Sequence, residues 1–222
     1  MTEPDVASSD AKNLGCRAER DGDEWLINGE KYYISGAGDP RCKILICMVM
    51  TNPDGPPHRR HSQILVPMET PGVQILGPME VFGEDDAPHG HMHLRFSDVR
   101  VPASNMLLGE GRGFEISQVR LGPGRIHHCM RAIAHTRKAL DMMLERAASR
   151  HTQGERLGNK QMVQQMIADS WIDLETFRLL VLRTAWRIDK YNDYKRVRAD
   201  ISAVKAMMPR VLHDVSARAL QV

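Results

Sequence analysis

The sequence has no CxxC pair, no long apolar run and almost no net charge, and each absence removes a class of protein. Its four cysteines, Cys16, Cys42, Cys47 and Cys129, are spaced for neither a metal centre nor a disulfide framework, and they fit a reducing compartment. The longest apolar run, Ile44 to Met50, is far too short to cross a bilayer. No signal peptide is recognisable, so the expectation is a soluble intracellular protein with no stable membrane anchor. The formal charge is +2, with Lys and Arg interspersed among Asp and Glu rather than gathered into a basic stripe. That argues against nucleic acid as a partner. His127 and His128 have no carboxylate at matching pitch, which excludes metal and leaves packing or capping as their role.

What is there is an ordinary globular composition, 42% hydrophobic and 26% charged in 222 residues, enough for one large or two small domains. The first eleven residues, Met1-Thr2-Glu3-Pro4-Asp5-Val6-Ala7-Ser8-Ser9-Asp10-Ala11, are unusually rich in hydroxyls and carboxylates. Thr2, Ser8 and Ser9 can donate to carbonyl or phosphate oxygens, Pro4 stiffens the turn, and Ala7 lets a planar ligand approach the backbone. By composition alone the same stretch reads as a mobile polar tail.

Two halves follow with different periods. From Gly15 to about Val101 the pattern is β. Trp25 to Ser35 reads as a hairpin turning at Asn28-Gly29, because Asn-Gly tolerates positive φ. Ile44–Met50, Ser62–Val66, Val73–Leu76 and the alternating His91–Phe96 read as further strands, with Asn52–His61 a surface loop. After Gly109 the period becomes 3.6. One stripe holds Ile126, Cys129, Met130, Ile133, Leu140, Met143 and Leu144 on a helix reaching Arg150. Gly154 and Gly158 break it. A second stripe runs Val163, Ile167, Trp171, Leu174, Val181, Ala185 and Ile188; after a turn at Asn192–Arg196, a third runs Ile201, Val204, Met208, Val211, Leu212 and Val215. The expected fold is α+β: a small antiparallel β-barrel or sandwich over residues 1–108, then an antiparallel helical bundle, incomplete at Val222, over 109–222.

Four motifs in order resemble the acyl-CoA dehydrogenase family, and within it the branch of family members 10 and 11. They are Thr2-Glu3-Pro4 with Ser9-Asp10; Asn28 to Ser35, where the family usually reads NGxKxWIT; Asp98-Val99-Arg100-Val101-Pro102 with Gly109 to Phe114; and Gly122-Pro123-Gly124-Arg125-Ile126 with Arg150 and Gly154. They span essentially the whole chain. The resemblance implies an FAD enzyme that removes a proton from the α carbon of an acyl-CoA thioester and a hydride from the β carbon, in fatty-acid β-oxidation. It implies that Thr2, Glu3, Pro4, Ser8, Ser9, Tyr33, Ile34, Ser35 and Arg150 hold the cofactor. Ser35 would lie near flavin N5, Tyr33 would stack where the family has tryptophan, and Arg150 would reach the FAD of a neighbouring subunit. Ser9, Gly122, Pro123, Gly124 and Arg125 would border the acyl-CoA. Read without the resemblance, Ser35 is a turn residue, Tyr33 a cross-strand packing residue and Arg150 a complement to a helix dipole.

The departures have consequences. Gly124 stands where one subgroup has its catalytic glutamate, and glycine is no base. The alternative position is expected beyond Val222 and the preceding helical domain before Met1, so the chain resembles a fragment with no catalytic residue of its own and no activity alone. Gln153 replaces a usual phenylalanine. The resemblance further implies an electron-transfer flavoprotein as electron acceptor and a homodimer or homotetramer, cytoplasmic in a bacterium and mitochondrial or peroxisomal in a eukaryote. An O2-using acyl-CoA oxidase and a non-catalytic flavin-binding or interaction module are the rival readings.

Overall fold

A continuous apolar run in β3 and alternation of apolar and polar residues in β6 build the first half as strands. The computed structural model describes residues 1–222 and divides them into two units, Met1–Gln118 and Val119–Val222. In the first unit β1 (Arg17–Asp21), β2 (Glu24–Ser35), β3 (Ile44–Met50), β4 (His61–Pro67), β5 (Val73–Pro78) and β6 (His91–Pro102) form one sheet in the order β4-β3-β1-β2-β6-β5. Every pairing is antiparallel except β1 with β3. Ile27, Val49, Ile64, Val66, Leu94 and Val99 are buried at its core.

The Asn28-Gly29 hairpin does not form. The turn lies earlier, at Gly22-Asp23, where Gly22 has φ +58° and Asp21 pairs with Glu24. β2 runs straight through Asn28-Gly29, which instead marks a bulge against β6. There Asn28 Nδ2 donates to Asp98 Oδ1 (3.0 Å) and Asp98 N–H donates to Asn28 Oδ1 (2.8 Å), pinning Asp98 at φ +50°. Asn-Gly supplies the positive φ of a bulge as readily as that of a turn.

In the second half α1 (Gly113–Ser149), α2 (Gln161–Tyr191) and α3 (Tyr194–Gln221) are long helices. Between α1 and α2 a minimal hairpin, β7 (His151–Thr152) with β8 (Glu155–Arg156), turns at Gln153-Gly154, both at positive φ (+52° and +82°). The expected turn at Asn192–Arg196 is shorter: Asn192 is left-handed at φ +44°, and Asp193 caps α3 by accepting from the Lys195 and Arg196 amides. α2 and α3 run antiparallel, as the ion pairs Arg183–Asp200 and Arg218–Asp173 require. Cys129, Leu140, Met143, Leu174, Phe177, Val181, Val204, Val211 and Val215 fill the core. Met130, Leu144 and Trp171, placed in the stripes by their spacing, are exposed instead, while the polar Thr136, Ser170 and Thr184 are buried with hydroxyls on their own helix carbonyls. His127 and His128 also face out, so packing is not their role.

The bulge yields a sharp test. A Cβ on Gly29 would sit 2.8 Å from Cys16 Cα, at φ +142°. Gly29→Ala is expected to lose about 2 kcal/mol in urea unfolding. Gly22→Ala, where the added carbon meets nothing within 4 Å, is expected to lose about 1 kcal/mol from φ alone.

Candidate cofactor site

The N-terminal loop is not a tail: it is tied to the sheet by its own glutamate. The Glu3 carboxylate accepts from Gly15 N–H (2.5 Å), Cys16 N–H (3.1 Å) and Lys31 Nζ (2.5 Å), and Lys31 Nζ donates also to the Met48 carbonyl (2.6 Å). The two side chains are only 5% and 3% exposed. Burial works against the Lys31 ammonium, but Cys47, Cys16 and Glu3 outweigh it and raise its pKa above the ordinary lysine value. Cys16 hydrogen-bonds to Cys47 and makes Cys47 the more acidic thiol despite its burial, with Lys31 acting the same way. Buried His61 anchors the loop's far end through Nε2 to the Leu14 carbonyl (3.0 Å), and burial pushes its pKa down.

Within the loop, Ser8 closes a tight ring: Glu3 N–H donates to Ser8 Oγ (2.8 Å), and Ser8 Oγ–H points back to the Glu3 carbonyl (3.2 Å). Tyr32 N–H donates to the Thr2 carbonyl (3.0 Å), which lays the loop along β2. A second bulge falls there, between Lys31 and Ile34, and carries Tyr33 at φ +54° out of the ladder with β6. Tyr33 is 39% exposed and Ser35 faces the same way, while Ile34 points inward. The hollow under Ile34, lined also by Met1, Lys31, Cys47 and Met48, holds only about 50 Å³. That is room for a water and not for a ring system.

The residues read from sequence therefore divide by task. Glu3 and Ser8 have their oxygens bonded within the loop and hold its shape. Pro4 is half-buried in the turn. The Thr2 and exposed Ser9 hydroxyls and the Tyr33 ring make no hydrogen bond within the chain. This open set of two hydroxyls and one aromatic face suits the polar edges and plane of a flavin. Ser35 Oγ lies 2.9 Å from His91 Nδ1, and His91 Nε2 lies 3.0 Å from Asp86 Oδ2. The alternation of His91–Phe96 marks a strand but carries no hint of this contact. The Ser35↔His91 pairing of β2 with β6, which creates it, is long-range.

The remaining candidates lie on helical elements. Gly122, Pro123, Gly124 and Arg125 are inside α1, where Pro123 removes a backbone donor and a Cβ on Gly122 would come within 3.4 Å of the Tyr194 ring. Exposed Arg150 immediately follows α1, its N–H on the Arg146 carbonyl and its carbonyl accepting from Leu157 N–H. Gln153 accepts from Lys160 Nζ (3.2 Å).

Comparison gives the family directly. Residues 1–116 match the acyl-CoA dehydrogenase middle domain and 111–222 the acyl-CoA dehydrogenase C-terminal domain. The chain belongs to the acyl-CoA dehydrogenase family. It is 50% identical, over its whole length, to acyl-CoA dehydrogenase family member 11 of Gallus gallus, of which it covers 29%. An acyl-CoA dehydrogenase structure from Mycobacterium abscessus superposes with a TM-score of 0.93 at 42% identity, covering 100% of this chain and 54% of that one. The chain thus spans from under a third to about half of these relatives. Solved neighbours carry FAD, among them the FAD complex of PigA (TM-score 0.86, 26% identity, covering 99% of this chain and 55% of that one).

The buried pair sets a stability prediction. Lys31→Met leaves the Glu3 carboxylate buried with two amide donors and no cation, and should lose about 3 kcal/mol in urea unfolding. Adding Glu3→Gln should restore most of it. A loss under about 0.5 kcal/mol for the single variant would contradict the assigned role.

Proposed function

We propose that the chain is the flavin-holding part of an enzyme oxidising an acyl-CoA thioester to its trans-2-enoyl-CoA in fatty-acid β-oxidation. Residues 1–108 serve as the middle β-domain and 109–222 as the C-terminal helical domain. The observation that carries the reading is the outward set of Thr2, Ser9, Tyr33 and Ser35 on a loop and bulge locked from behind by Glu3–Lys31. FAD, when bound, supplies the hydride acceptor. Thr2 and Ser35 orient the ring by its polar edge, Tyr33 covers one face, and Ser9 and Arg150 offer a hydroxyl and a guanidinium to phosphate. Gly122 to Arg125 border the acyl-CoA. Gly124 offers no base, so α-proton abstraction needs a carboxylate from elsewhere, and the 222 residues alone are expected not to turn over. Electrons leave to an electron-transfer flavoprotein.

The test is a visible spectrum of the FAD-loaded full-length enzyme that contains these residues, before and after anaerobic addition of acyl-CoAs of graded chain length. Bleaching of the flavin band by one range of lengths is expected. A bound flavin that no acyl-CoA bleaches would overturn the dehydrogenase reading. Slow reoxidation by O2 and fast reoxidation by an electron-transfer flavoprotein separate dehydrogenase from oxidase.

We also propose a homo-oligomer. Trp171, Leu179, Leu182 and Trp186 form an outward apolar stripe on α2, each 42–59% exposed, wider than solvent alone accounts for. Trp186→Lys should lower the mass measured by light scattering; an unchanged mass places the contact elsewhere.

A further inference from the structure

His91 is the one side chain that hydrogen-bonds a cofactor-facing hydroxyl from behind, and its own far nitrogen is held by a carboxylate. The segment leading into β6 is stapled by three backbone bonds: one within it, one from the residue after β2 and one from the residue after β5. Gly90 N–H donates to the Asp86 carbonyl (3.0 Å), Gly36 N–H donates to the Gly90 carbonyl (3.3 Å), and Met79 N–H donates to the His91 carbonyl (2.7 Å). Between the staples run the side-chain contacts Asp86 Oδ2···Nε2 His91 (3.0 Å) and His91 Nδ1···Oγ Ser35 (2.9 Å). The flanking histidines have their own carboxylates, His89 with Asp39 at 3.3 Å and His93 with Glu30 at 2.7 Å, so neither competes for Asp86 or Ser35.

We infer that Asp86 and His91 are positioning residues that make the Ser35 hydroxyl a hydrogen-bond acceptor toward the cofactor, favouring its reduced form. This rests on the flavin reading above. A carboxylate oxygen accepts, so the His91 Nε2 that faces Asp86 carries a proton, and in the singly protonated ring Nδ1 presents a lone pair to Ser35. The Ser35 proton then goes to Nδ1, and Oγ offers lone pairs outward. Oxidised flavin N5 is also a lone-pair site and gains nothing from such an oxygen. Reduced N5 carries a hydrogen and does. No bond is made or broken by these residues; they bias one redox state over the other by fixing where a proton sits.

Two measurements test this. On the 222-residue chain without cofactor, 15N-histidine NMR should assign His91 the Nε2–H tautomer; an Nδ1–H tautomer overturns the inference. On the FAD-loaded protein, His91→Leu frees the Ser35 proton to donate to oxidised N5. The reduced-to-oxidised ratio at fixed poise should fall about tenfold, a drop of about 30 mV for a two-electron couple. His91→Asn keeps an acceptor at the Nδ1 position and should hold the wild-type potential. His91→Leu in a Ser35→Ala background should have no further effect. A residue that only shaped the loop would weaken FAD binding in both redox states and leave the potential unmoved. If Ser35→Ala shifts the potential and His91→Leu does not, the inference fails alone. If Ser35→Ala is silent as well, the placement of Ser35 at N5 fails and takes the inference with it.

Discussion

The first unit is organised around a single buried ion pair. Lys31 sits in the middle of β2, and its ammonium is held by Glu3 and by the Met48 carbonyl of β3. A lone charge at this depth would be costly; two opposite charges with their remaining sites filled by the Gly15 and Cys16 amides are tolerated. Because Glu3 lies in the N-terminal loop, the pair converts a segment of polar, turn-forming residues into a fixed edge of the sheet. Thr2 and Ser9 acquire defined positions through it, together with the Tyr32–Thr2 backbone bond and the His61 anchor at Leu14. The buried carboxylate acts on the outward face of the loop by holding it in place.

The bulge of β6 opposite Asn28 and the bulge of β2 at Tyr32-Tyr33 depend on the same frame. Each twists the strand and changes which side chains face out. At the first, Asn28 and Asp98 lock each other and Gly29 lets Cys16 approach, which brings Cys16 beside Cys47 and Lys31. At the second, the Tyr32 amide is diverted from the β6 ladder to the Thr2 carbonyl, and Tyr33 is pushed outward in a left-handed conformation. A bulky residue at positive φ is strained and persists only where its surroundings over-determine it. Here Glu3–Lys31 supplies that constraint on one side of the bulge and the Ser35↔His91 pairing on the other.

Most elements were legible because their signals are local. The apolar run of β3, the alternation of β6 and the 3.6-residue stripes each mark an element directly. The failures are equally physical. Asn-Gly reports a need for positive φ without saying whether a turn or a bulge meets it. Trp171 matches a core stripe by spacing and faces out, because periodicity identifies a face and not what covers it. Hydroxyls and carboxylates in the first loop pointed to a site as a group, yet nothing in their order separates Glu3 and Ser8, bonded inward, from Thr2 and Ser9, open outward. That division is set by the long-range contact with Lys31.

The same distinction bears on where change is tolerated. The inward groups behind the loop are coupled to one another: Glu3, Lys31, Cys16, Cys47 and the Met48 carbonyl share one buried network, and altering any member leaves another unpaired. The outward groups are coupled to little within the chain, so a change of the Tyr33 ring would leave the sheet undisturbed. Ser35 is the exception among them. It faces out but is bonded from behind, through His91 to Asp86, so its hydroxyl has a direction as well as a position. An outward group whose proton is fixed from within differs in kind from one that is simply exposed, since it can favour one state of whatever lies against it.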